Sequence, residues 1–299
     1  AGPRRKGGGG GTAGAGVGER GARAGGGGRG MDLSAGDDGL VVRDASGSVV
    51  KTGSGDDTLH FAGAGREYTE TVLRESDVFL GQGDDALIVD GDVQESRIYT
   101  DRDSAGGPEY AGNDSVTVNG GLIHSDIFTG GGNDDIVITG AVSGDYDWME
   151  GYAPRNVIDT GSGNDSLTIK GGTSYINIDM GEGDDSLVIE NAAYNSNINM
   201  GSGNDTAMIR GGAYESSVNM GDGDDALHFD LTVGDSWWSP SEGVSAVRLD
   251  GGGGTDVLAF SCSHETVDWG QFVRNVSTFN ENTSVGNFEI LHLDLSNGR

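Results

Sequence analysis

The stretch Gly161-Ser162-Gly163-Asn164-Asp165-Ser166-Leu167-Thr168-Ile169 returns twenty residues later as Gly181-Glu182-Gly183-Asp184-Asp185-Ser186-Leu187-Val188-Ile189. Two further copies start at Gly201 and Gly221. The shared pattern is Gly-x-Gly-Asn/Asp-Asp-x-apolar-x-apolar, and a repeat of this period marks a stack of similar coils, none of which can bury its apolar face alone. Taking the second acidic position as a marker, the series is Asp38, Asp57, Asp85, Asp114, Asp134, Asp165, Asp185, Asp205, Asp225 and Asp256. Successive spacings are 19, 28, 29, 20, 31, 20, 20, 20 and 31. The long ones are one period plus an insertion. Pro108, Pro154 and Pro240 fall inside the longer intervals, as expected of a residue that cannot donate to a strand ladder.

Alternation of apolar residues identifies the element after each turn as a strand. Leu167 and Ile169 share one face, as do Leu187 and Ile189, Ile136 and Ile138, Leu227 and Phe229, and Leu87 and Val89. A small turn such as Gly171-Gly172 often follows, and then a second apolar site, seen at Val78, Ile98, Ile127, Ile178, Ile198 and Val218. Each period therefore predicts two short strands and two turns. Coils stacked in parallel about 4.8 Å apart would bury a thin continuous core of Leu, Ile and Val. The fold class is all-β, a parallel β-helix or β-roll of about ten coils.

Working outward, the ends differ in composition from this body. Residues 1–30 contain fifteen of the 57 glycines, the cations Arg4, Arg5, Lys6, Arg20, Arg23 and Arg29, and a single acid, Glu19. The chain is thus divided into a disordered Gly/Arg-rich tail (1–33), the repeat (34–260) and a C-terminal capping segment (261–299). In the last of these, Leu291, Leu293 and Leu295 alternate with His292 and Asp294. The sequence stops at Ser296-Asn297-Gly298-Arg299 and is read as a piece of a longer chain. Subtracting residues 1–30 from totals of 18 basic and 48 acidic residues leaves 12 and 47, so the net charge moves from −30 to −35. A body of that charge repels nucleic acid and anionic membrane, and it has no apolar run long enough for membrane insertion. Cys262 stands alone, which excludes an internal disulfide framework. His264-Glu265 lacks the second histidine of a zinc-protease helix, and His60 and His228 alternate with inward residues, so no transition-metal site is expected.

The turns carry the candidate chemistry. Two glycines permit positive φ and aim carbonyl oxygens toward a common point, and the following aspartate adds a carboxylate. Stacking brings these carboxylates close enough to repel. Oxygen ligands in flexible loops are what calcium takes, and a calcium ion between neighbouring coils would convert the repulsion into a clamp. The candidate metal ligands are Asp57, Asp85, Asp114, Asp134, Asp165, Asp185, Asp205, Asp225 and Asp256, with the carbonyls of Gly163, Gly183, Gly203 and Gly223. The preceding position varies (Asp56, Asn164, Asp184, Asn204, Thr255) and is assigned to the rim. The competing reading is a tight turn without metal, for which Asn and Asp are also suited.

Gly251-Gly252-Gly253-Gly254-Thr255-Asp256-Val257-Leu258 resembles the RTX, or haemolysin-type, calcium-binding nonapeptide Gly-Gly-x-Gly-x-Asp-x-apolar-x. The other copies are similar, with Thr52, Leu80, Thr160, Met180, Met200 or Met220 in place of the first glycine. The resemblance covers residues 34–260. It implies a right-handed parallel β-helix or β-roll with calcium-binding turns, of the single-calcium-column kind found in RTX adhesins. It also implies a secreted or cell-surface bacterial protein, extracellular and structural or adhesive; that the chain is not an enzyme is a separate expectation, drawn from the absence of an assembled catalytic set. Ice-binding repeats of that kind carry Thr between the glycines. The mixed, partly charged row Ser54, Gln82, Gly131, Ser162, Glu182, Ser202 and Asp222 argues against such a face.

The insertions leave room for a second function. Asp145-Tyr146-Asp147-Trp148-Met149-Glu150 and Asp235-Ser236-Trp237-Trp238 combine aromatic faces with carboxylates, a mixture suited to sugar. A carbohydrate-binding accessory module of a polysaccharide-modifying enzyme is therefore the alternative, with a polysaccharide or cell-surface glycan as partner. No nucleophile, base and orienting group can be assembled for catalysis, and the inserted loops are the one place left for it. The chain is taken as a monomer or part of a longer polypeptide.

Overall fold

The computed structural model describes residues 20–21, 30–33, 35–63, 71–107, 109–144, 156–230, 244–245, 247–261, 284–287 and 290–294. Pro108, Trp148, Pro154, Trp237, Trp238, Pro240, Cys262, His264, Glu265 and Trp269 lie outside the described residues. All described regular elements are β-strands, and every strand pairing is parallel. They form three sheets, here called A, B and C, of twelve, eleven and nine strands.

One coil shows how the period is spent. Ser166–Ile169 lies in sheet A, Thr173–Ser174 in sheet C and Ile176–Asp179 in sheet B, after which the Gly-x-Gly turn returns the chain to sheet A at Ser186–Ile189. The structure therefore holds three strands per coil where the sequence predicts two. The extra strand is two residues long and buries one side chain (Thr173, Ala193 and Ala213 in successive coils), so it has no alternation to read.

The apolar pattern sets the register. Leu167 lies beside Leu187, Ala207 and Leu227, and Ile169 beside Ile189, Ile209 and Phe229, all fully buried. Ile178, Ile198 and Val218 form the matching row in sheet B. A one-residue slip would expose both rows, which is why the pairing holds across insertions of up to eleven residues. Insertions leave at each corner. One lies between Thr58–Phe61 and Thr71–Arg74, one between Arg97–Tyr99 and Ser115–Val118, and one between Val142–Ser143 and Asn156–Asp159. The second is described nearly throughout. It lies over sheet B, where Phe79, Tyr99 and Phe128 stack at 5.0 Å intervals, Arg102 lies over Tyr99 and Lys51 bonds the Asp103 carbonyl.

At both ends, described strands outside residues 34–260 continue the sheets. Arg20–Gly21 pairs with the sheet A strand Gly39–Val42, and Gly30–Asp32 with the sheet B strand Val49–Ser54. Ile290–Asp294 is the last strand of sheet A, in register with Val257–Ser261.

The corner between sheets C and B carries a feature the sequence analysis did not single out. Glu75, Glu95, His124, Tyr175, Asn195 and Glu215 turn it with φ of 46–55°. Behind them, the N–H of Ser48 donates to Ser76 Oγ, Ser76 to Ser96, Ser96 to Ser125 and Ser196 to Ser216, at 3.0–3.1 Å. These buried serines form a ladder of uncharged hydrogen bonds from coil to coil.

Candidate metal centre

The third corner, between sheets B and A, is built by the Gly-x-Gly-Asn/Asp-Asp turns. Gly183 has φ of +130°, and a Cβ there would fall 1.9 Å from the carbonyl oxygen of Gly163 in the coil before. The same contact recurs between Gly203 and Gly183 and between Gly223 and Gly203. Glycine is therefore required here by the approach of one coil to the next, whether or not a metal is bound. The carbonyls of Gly163, Gly183, Gly203 and Gly223 project into the space between coils and accept no main-chain hydrogen bond. By contrast, the carbonyl of the first glycine is occupied: Gly161 O accepts the Glu182 N–H at 2.8 Å.

The structure brings all nine predicted aspartates into one column. Asp57, Asp85, Asp114, Asp134, Asp165, Asp185, Asp205, Asp225 and Asp256 are each 0–2% exposed. Each Oδ1 accepts the N–H of the marker one coil earlier: Asp57 from Asp38, Asp85 from Asp57, Asp185 from Asp165, and so on to Asp256 from Asp225, at 2.7–3.0 Å. The other oxygen has no such role. Oδ2 of nine successive markers, Asp38 through Asp225, is buried and has no hydrogen-bond partner. Thr52, Thr100, Thr129 and Thr160 lie beside the carboxyls of Asp57, Asp114, Asp134 and Asp165 and partly offset the effect of burial there, but each hydroxyl donates its one proton to a carbonyl of the next coil.

The electrostatics follow from that burial. It pushes the carboxyls of Asp85 and Asp185 up to about 7 and those of Asp114, Asp165 and Asp225 up to about 6. Asp57, Asp134 and Asp205 are raised by the same cause. Repulsion adds to it, from Asp114 and Asp57 on Asp85 and from Asp165 and Asp205 on Asp185. A buried carboxylate without a counter-charge is costly, so the column requires protons or cations.

The preceding residue sits at the rim, exposed, as expected, but it has a task the sequence analysis did not assign. Its Oδ1 accepts the N–H of the equivalent residue one coil later: Asp184 donates to Asn164, Asn204 to Asp184, Asp224 to Asn204 and Thr255 to Asp224, at 2.7–3.0 Å. Two neighbouring N–H groups in each turn thus point in opposite directions along the stack. Asn and Asp alternate freely at the rim because one acceptor oxygen suffices there.

One further buried carboxylate escaped the sequence analysis. Asp101, where the chain leaves the coil for the insertion ending near Ala111, is 1% exposed and pushed by burial up to about 7. The alignment of Thr100-Asp101 with Thr129-Gly130 and Thr160-Gly161 was the available signal, hidden because the insertion splits the motif. Among the described residues, no three His, Cys, Asp or Glu side chains converge as a metal cluster. An ion in this column would therefore take few carboxylates and complete its shell with main-chain oxygens and water, a donor set that suits a hard cation.

No protein-family model, curated protein or solved structure matches the chain.

Proposed function

We propose that this chain is a calcium-stabilised structural or adhesive rod, an RTX-like module of a secreted or cell-surface protein. One observation carries the reading: nine successive marker carboxylates each leave one buried oxygen without a partner. Hydrogen bonding explains the Oδ1 of each marker but not its charge. At the rim, where only Oδ1 is used, Asn and Asp are interchangeable, whereas the marker is Asp in all ten turns. The second, charged oxygen is the feature that singles out the marker, and calcium is the cation that takes carboxylate and carbonyl oxygens in flexible loops. The free carbonyls of Gly163, Gly183, Gly203 and Gly223 complete the donor set. The right-handed winding expected of such repeats accords with the general preference of parallel crossovers.

Bound calcium would neutralise the column. Extracellular modules bind calcium with Kd of about 10⁻⁴–10⁻³ M. A site at ten times its Kd contributes about 1.4 kcal/mol, so about eight ions between successive markers would add on the order of 11 kcal/mol, comparable with the stability of a whole domain. In calcium-poor cytosol the chain would stay expanded, and outside the cell it would stack. Circular dichroism during a calcium titration at pH 7.5, with a chelator control, tests this. The β signal should develop with calcium and collapse in chelator; a chain that keeps it in excess chelator sinks the proposal.

A further inference from the structure

Asp101 interrupts the acidic corner at a single turn. In the column of first glycines it stands between Gly81 of the coil before and Gly130 of the coil after; a Cβ on Gly130 would fall 2.7 Å from Asp101 Cβ. In the coils that follow, the first glycine's carbonyl accepts an N–H from the next coil, at Gly130, Gly161, Gly181, Gly201 and Gly221. At this turn Asp101 Oδ2 takes over that duty, accepting the Gly131 N–H at 2.8 Å. Asparagine or serine would do the same without burying a charge. Asp101 Oδ1 is buried; the Gly112 N–H lies near the carboxylate but donates to the Gly131 carbonyl at 2.8 Å, which leaves Oδ1 without a hydrogen-bond partner.

Among the described residues, none offers a counter-charge to that oxygen. The charged groups acting on Asp101 include the markers Asp114 and Asp134, and Oδ2 of each is likewise buried without a partner. The adjacent cation is turned away: Arg102 pairs with Glu109 and lies over the ring of Tyr99. The Gly112 carbonyl, aimed at Gly132 in the next coil, adds an oxygen to the same corner. An open groove lined by Ser54, Gly55, Gln82, Gly83, Tyr110 and Ala111 flanks it.

We propose that Asp101 and Asp114 form a distinct calcium site at the turn where the insertion leaves the coil, tighter than the other sites of the column because it holds one more carboxylate. The proposal rests on the reading that the marker carboxylates take calcium. Affinity in oxygen-ligand sites rises with the number of charged ligands, so this turn fills first. It would also tie the base of the insertion to the rod.

Equilibrium dialysis of the full chain against calcium tests the site. The wild-type isotherm should show one ion bound at a free calcium at least tenfold below that filling the remainder. Asp101→Asn keeps an acceptor for Gly131 and should remove that first step alone. Asp101→Gly, which restores the residue found in eight of the other nine turns, should do likewise, with circular dichroism in saturating calcium confirming the fold of both. Isotherms of both variants that superimpose on the wild type would overturn the site, as would a wild-type isotherm with no tight step while the other ions bind. A wild type that binds no calcium would instead overturn the parent reading.

Discussion

Two corners of the rod solve one problem in different chemistry. At the corner between sheets C and B, and at the corner between sheets B and A, a main-chain N–H of one coil donates to a side-chain oxygen of the next. At the first corner the oxygen is a serine hydroxyl. Its own proton goes to a carbonyl two residues back, as Ser76 does to Arg74, Ser96 to Gln94 and Ser216 to Tyr214, so the group buries no charge and leaves its proton satisfied. At the second corner the oxygen belongs to an aspartate, which makes an equally good hydrogen bond and leaves a buried charged oxygen unbonded. A hydroxyl of the serine kind would close that ladder without the penalty. The contrast separates two tasks: coil-to-coil hydrogen bonding, which either corner performs, and holding negative charge in the interior, which only the acidic corner does.

The largest effect expected from this difference is a reversal of pH dependence. Burial raises Asp85 and Asp185 to about 7 and Asp114, Asp165 and Asp225 to about 6, above the 3.8 of an unburied aspartate. Between pH 4 and 7 the folded chain therefore binds more protons than the unfolded one, so in the absence of metal its stability falls as pH rises through this window. The calcium-free chain, which the calcium proposal expects to be unfolded at pH 7.5, should gain β signal on acidification toward pH 5. With calcium the sign inverts, because protons must displace the ion, and stability should fall as pH drops. Thermal melts from pH 5 to 7.5 in dialysed and calcium-saturated protein would show opposite slopes. The same slope in both would mean that the acidic corner, like the serine corner, serves only hydrogen bonding.

A smaller, local version of the test is Asp185→Asn. It keeps an acceptor for the Asp165 N–H, 2.8 Å away, and removes the charge. In saturating calcium at pH 7.5 the variant should bind one ion fewer and lose about 1–3 kcal/mol, read from denaturant midpoints. In the calcium-free chain at pH 5, where Asp185 is itself largely protonated, the same change should be nearly neutral. An equal cost under both conditions would leave the ion no part in it.

Much of this architecture was legible before any coordinates. The strands of sheet A and sheet B were readable because Leu187 and Ile189, or Ile178 and Ile198, recur at a fixed place in each period and alternate with polar residues. The aspartate column was readable because one position never varies across ten turns. The strands of sheet C were not, since Thr173–Ser174 is too short to alternate. The serine corner was hidden by the commonness of the residue and by the insertions that separate Ser96 from Ser125 and interrupt the series at Asn156. The rim ladder was concealed by its own tolerance. Variation between Asn164 and Asp184 looks like absence of a role, yet it is what a lone acceptor oxygen permits. Asp101 lay outside the motif because its turn is split.

The smallest effect belongs to the corner without charge. Ser216→Ala removes the oxygen that accepts the Ser196 N–H at 3.1 Å and leaves that donor buried, while the carbonyl of Tyr214 loses the hydroxyl proton it holds at 2.7 Å. Loss of one such hydrogen bond costs about 1 kcal/mol. The hydroxyl neither titrates in the working range nor ligates a cation in this arrangement. The same cost should therefore appear in calcium at pH 7.5 and in the calcium-free chain at pH 5, with the calcium stoichiometry unchanged. A penalty that depended on calcium would show that the two corners are coupled through the coil they share, and the separation of tasks between them would have to be abandoned. A constant penalty, set beside a calcium-dependent one at Asp185, would locate the metal response at the acidic corner and nowhere else in the coil.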